Sequence, residues 1–107
     1  MKEIPESDWK YLRTIKDKML ETLCKGINDG ALHIATDTKL SEFEKFHRLM
    51  EHIFDGNERV ATCFDDWRRS NVIMKLLALH HDRLLTEEYL SHLSTETRHR
   101  IKELSEL

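Results

Sequence analysis

The sequence predicts an all-α fold, a small bundle of four to five helices forming one domain over residues 1–107. Three observations carry this. Apolar residues recur at spacings of three, four and seven, the 3.6-residue period of a helix, and no stretch alternates as a strand does. One proline and three glycines leave few places to turn, so the helices must be long. Residues 71–85, reading NVIMKLLALHHDRLL, are apolar on nearly every side apart from Lys75, the mark of a helix buried by its neighbours. The expected architecture is a long N-terminal helical hairpin, a buried third helix and short C-terminal helices.

Residues 1–6 are expected to form a frayed arm from which Ile4 can pack back. Ser7 is the expected N-cap of the first helix, and Asp8 suits the positive end of its dipole. Trp9, Leu12, Met19, Leu20, Leu23, Cys24 and Ile27 share one face, with Ile15 at its edge. Gly26, Asn28, Asp29 and Gly30 are poor helix formers and favour a stop near Asn28, although Ala31 and Ile34 keep the phase and would carry the helix to about Ala35. Propensity is given the greater weight. Thr36, Asp37 and Thr38 form a polar connection.

Ser41 with Glu44 three residues on is a capping box, so the second helix should begin at Ser41. Its stripe of Phe43, Phe46, Met50, Ile53, Val60, Ala61 and Phe64 keeps its phase across Asp55-Gly56-Asn57. One helix to about Asp66, weakened at Gly56, is therefore expected rather than two. A hairpin of two such helices brings Trp9, Phe64 and Trp67 to one end. The phase changes after Asp66, and Ser70 or Asn71 can cap the buried third helix. Thr86 is a good N-cap for a short helix to about His92, with Leu85 and Leu90 placed as a hydrophobic staple. Ser94 opens the last helix, which carries Ile101 and Leu104.

Composition limits what such a bundle can do. A net charge of −3 lacks the basic footprint of a dedicated nucleic-acid binder. No apolar run approaches the ~18 residues of a membrane span, and the N-terminal MKEIPESDW has no secretory core region. Cys24 and Cys63 form no CxxC pair and lie too far apart along the hairpin for a disulfide. They read as small buried hydrophobes in a reducing, cytoplasmic setting.

Seven histidines raise the question of metal binding. Glu44 with His47, and Glu96 with His99, repeat the Glu-x-x-His spacing of di-iron bundles. Both pairs fall on solvated faces of their helices, so neither a metal nor any other cofactor is expected. His80 and His81 suit the C-terminal end of the buried helix. Asp65, Asp66, Trp67, Arg68 and Arg69 form the most distinctive surface segment: Trp and Arg recur at binding hot spots, and either aspartate could pair with Arg69 on a helix. Residues 86–104 resemble a helix-turn-helix in outline, but without glycine in the turn. No G-x-S-x-G, H-E-x-x-H or glycine-rich phosphate loop is present, so no catalytic residue is assigned.

The reading that follows is a small cytoplasmic protein-interaction or regulatory module without catalytic activity. Its partner is an unidentified protein, and it associates with itself as a two-fold dimer. The short C-terminal helices offer too little cover for the buried helix, so Phe43, Phe46, Leu76 and Leu79 are the expected dimer contact. The alternatives are a DNA-binding regulator using residues 86–104 and a metal- or pH-responsive bundle using the histidines.

Overall fold

Thirty residues of unbroken helix open the structure, a computed structural model that describes residues 2–107. Helix α1 spans Glu6–Ala35, α2 Glu42–Phe64, α3 Val72–His81, α4 Glu87–Ser91 and α5 Thr95–Ser105, and the described residues contain no strand. The chain is an all-α bundle in which α1 packs along α2, α2 against α3, and α3 against α5.

The start and end of α1 both depart from expectation. Pro5 occupies the N-cap position and Ser7 lies inside the first turn. Pro5 is extended, with ψ at 147°, and its carbonyl opens the helix by accepting from the Trp9 N–H at 3.1 Å, a role for which proline's missing N–H is no handicap. Residues 2–5 are not a loose arm: Ile4 is buried, and Arg69 donates from Nε and Nη2 to its carbonyl oxygen at 3.0 and 2.8 Å. Met1, the first residue of the expected arm, lies outside the described residues. At the other end, α1 does not stop near Asn28 but continues to Ala35. Tertiary contact overrides the weak propensity there. His52 on α2 sets its Nε2 2.7 Å from the Ile27 carbonyl oxygen, to which it can only donate, and its ring fills the space beside Gly30.

The capping box forms as the sequence predicts. Ser41 Oγ accepts from the Glu44 N–H at 3.1 Å, and the Ser41 N–H donates to Glu44 Oε1 at 3.2 Å. From there α2 runs unbroken through Gly56. Gly56 is not a weak point but the place where the hairpin closes. A Cβ on it would lie 2.9 Å from Ile27 Cγ2, and one on Gly30 would lie 2.6 Å from His52 Cε1. The two missing side chains let the helices approach.

Beyond Phe64 the chain turns sharply, with Asp66 in the left-handed region at φ 57°. Trp67 stacks on Phe64 and on Trp9, at centroid distances of 6.1 and 6.3 Å, so the three aromatics meet at one end as expected. Helix α3 is shorter than residues 71–85. Asn71 takes its N-cap position, yet its side chain serves the preceding turn, donating to the Asp66 carbonyl and accepting from the Arg68 N–H. At its C-terminus Arg83 stands at φ 61°, its N–H donating to His80 O while the Leu84 N–H reaches Leu79 O. This Schellman turn drops Leu84 and Leu85 into the core. Thr86 and Ser94 cap α4 and α5 as predicted.

A buried carboxylate ties the C-terminal pair to α1. Asp8 accepts from the Ser94 N–H at 2.8 Å, from Ser94 Oγ at 2.6 Å and from Thr97 Oγ1. It therefore serves the N-terminus of α5 as well as sitting in the first turn of α1, a favourable charge at two positive helix ends.

Candidate interaction surface

Burial is confined to one end of the molecule. The α1 side chains that enter the core stop at Ile27, the α2 positions that do so begin at Gly56, and no residue between them is buried. Residues 28–55 are thus a two-helix stem standing clear of the bundle. The molecule measures 51 × 24 × 23 Å and its radius of gyration is 16.6 Å, against about 13 Å for a compact chain of this length. Two helices alone have no third element to cover their apolar faces.

That stem carries the largest apolar side chains the fold leaves in solvent. Phe43, Phe46, Met50 and Ile53 on α2, with Phe54 beside them and Leu32 on α1, are 48–74% exposed. The first four follow spacings of three, four and three, and Asn57 and Val60 extend the series. This is the spacing of the a and d positions in a coiled-coil seam. At its inner end, Val60 and Phe64 pack with the core, and from Ile53 outward the same stripe comes into water. Glu44, Glu51 and Glu58 each follow an a position and give one flank an acidic edge.

The expected dimer contact divides under this geometry. Phe43 and Phe46 are exposed, whereas Leu76 and Leu79 have no accessible surface at all and belong to the core. Helix α3 does not lack cover, because residues of α1, α2, α5 and the Leu84–Leu85 turn share one core with it; of its apolar residues only Met74 is exposed, at 56%. Met50 and Ile53 are exposed beside the two phenylalanines. Both were legible in the stripe, while Leu32 and Phe54 carry no sequence signal that sets them apart.

The acidic-aromatic-basic corner is part of the scaffold. Trp67 is half-buried in the aromatic stack, and Arg69 is spent on Ile4 rather than paired with either aspartate, because the helix that would align them ends at Phe64. Asp65 is the C-cap residue of α2. Arg68 pairs with Asp66 at 2.7 Å, and this hydrogen bond holds the Asp66 carboxyl below its ordinary pKa and raises that of the guanidinium.

The histidines disperse. His47 pairs with Glu51, His99 with Glu103, and Glu96 with Lys2, all near the surface. Among the described residues no three His, Cys, Asp or Glu side chains converge on a point where they could hold a metal ion. Cys24 and Cys63 are free thiols. Cys63 is buried beside Asp82, whose carboxylate also accepts from Arg59 Nε at 3.3 Å. Burial, then the Asp82 charge, pushes the Cys63 thiol up to about 11. The α4–α5 connection is three residues, and its geometry bears on DNA binding. The N-terminus of α5, the end a recognition helix turns to base edges, is docked onto α1 through Asp8.

A cleft of about 360 Å³ lies between the end of α3 and helices α4 and α5. Glu87, Glu106, Arg98 and Lys102 line it with His80, so neither sign of charge prevails. Among the described residues no helix is long and apolar enough to cross a membrane. No protein-family profile matches the chain, and no characterised protein or solved structure shows significant similarity to it.

Proposed function

We propose that this chain is a small protein-interaction module, without catalytic activity of its own, that works by docking a helix on the α2 seam. One observation carries the reading: half of a helical hairpin has no buried residue and displays a heptad-spaced apolar stripe. Exposed apolar patches beyond a few hundred Å² mark interaction surfaces. The acidic flank of Glu44, Glu51 and Glu58 favours a protein over a lipid surface, since cytoplasmic leaflets are themselves anionic. A cytoplasmic setting is part of the same proposal; two free thiols are consistent with a reducing compartment. Self-association is part of the same reading.

Capture experiments in the native host test it. Proteins retained by the wild-type chain should be lost with Phe46→Glu and kept with Arg68→Ala, a change on the scaffold corner away from the seam. Equal retention by the wild type and Phe46→Glu would contradict the reading.

A further inference from the structure

We propose that the occupant of the seam is the same seam on a second copy of this chain, the two α2 helices packing antiparallel about a two-fold axis level with Arg48. This rests on the interaction-module reading and names its partner.

The area is right for it. The five exposed side chains of α2, Phe43, Phe46, Met50, Ile53 and Phe54, present on the order of 500–600 Å², taking about 150–250 Å² for a large side chain fully exposed. A stable interface uses roughly 800 Å² on each partner, and flanking residues supply the remainder. A two-fold contact also requires one patch to be complementary to itself. With the axis level with Arg48, Phe43 lies opposite the partner's Ile53 and Phe46 opposite the partner's Met50, and the reverse pairs follow by symmetry. Every exposed seam position then meets another exposed seam position. Moving the axis inward by half a heptad toward Gly56 would set Phe46 against the polar Asn57 and Phe43 against Val60, which is already half-buried.

The antiparallel sense follows from volume and charge. It matches each phenyl ring with a smaller aliphatic side chain, so successive layers have similar bulk. A parallel pair would stack phenylalanine on phenylalanine at the tip and isoleucine on isoleucine further in. Antiparallel helices also align their dipoles favourably. Helix α3 leaves the surface free, because its contacts with α2 run through Arg59, Thr62 and Cys63, on the side away from the seam. The product is a four-helix bundle made from two hairpin stems, with the two globular ends at opposite poles.

Sedimentation equilibrium on the full chain gives the first test. At about 100 micromolar the wild type should have twice the 12.8 kDa chain mass, as a standard-sized interface implies. Met50→Glu should return the mass to one chain with an unchanged circular dichroism spectrum, because Met50 is exposed in the subunit and its replacement removes nothing from the core. A wild-type mass of one chain at that concentration overturns the proposal. So does a dimer that Met50→Glu leaves intact. Orientation is read by nitroxides on Glu58→Cys in a Cys24→Ala background. At 1.5 Å rise per residue, the antiparallel pair separates the labels by about 30 Å along the axis, and a distance under about 20 Å overturns it. If the second copy fails while Phe46→Glu still abolishes capture of other proteins, the module reading stands with a different occupant. If both fail, both fall.

Discussion

Asp8 shows how much a single side chain can hold in this fold. It is buried at the join between α1 and α5, and three donors from Ser94 and Thr97 converge on it. Removing it leaves those donors without partners in a closed site. Asp8→Ala should therefore lower stability by about 2–3 kcal/mol in urea titration, and a change under about 0.5 kcal/mol would show that the latch contributes little. Cys63 makes a prediction of a different kind. Its thiol titrates near 11 in the folded chain, against 9.0 for an unperturbed cysteine. The folded state keeps the proton to higher pH than the unfolded chain does. The stabilisation is complete below about pH 9 and is lost as the pH rises towards 11. The stability difference between wild type and Cys63→Ala should accordingly be constant below pH 9 and shrink above it; a difference that stays flat would contradict this. At pH 8 only about one Cys63 in a thousand is thiolate, so alkylating reagents should modify Cys24 first.

At the scale of the helix, the glycines separate propensity from packing. Nothing lies within 4 Å of a Cβ built on Gly26, which sits exposed in the middle of α1. Gly26→Ala should raise stability by up to about 1 kcal/mol, the ordinary propensity gain. Gly56→Ala has the same propensity gain, yet its Cβ would press on Ile27, whose β-branched side chain is stiff at χ1. The net effect should be a loss of about 1 kcal/mol. Thermal melts of the two variants should move in opposite directions, and a shared upward shift would mean that the crossing is looser than described. Local signals in the sequence were sufficient for Ser41, Thr86 and Ser94, because a cap acts on the backbone next to it. They were insufficient for the end of α1, where Gly26, Asn28, Asp29 and Gly30 argued for a stop and a histidine 24 residues after Asn28, His52, overruled them. Nothing in the sequence linked Asp8 to Ser94, since no periodicity connects residues so far apart.

Across the whole molecule, the same difference explains what became of the expected dimer contact. Heptad spacing in α2 is legible and says that a stripe will be covered. It does not say by which chain. Phe43, Phe46, Leu76 and Leu79 look alike as apolar residues, and only the fold separates the pair that α3 buries from the pair that the stem displays. The reason to expect association has consequently moved, from an undercovered α3 to an undercovered hairpin stem. The elongated shape and the lack of burial over residues 28–55 are the observations on which the proposed self-association rests. Local stability follows burial, so the free stem of an isolated subunit should open more readily than the core end. Hydrogen exchange followed over a dilution series tests this most directly. The account predicts that amides in α2 from Phe43 to Phe54 exchange faster as the protein is diluted, while those of α3 and of α1 up to Leu23 keep their rates. Protection in the stem that is already as strong as in the core, and independent of concentration, would contradict it.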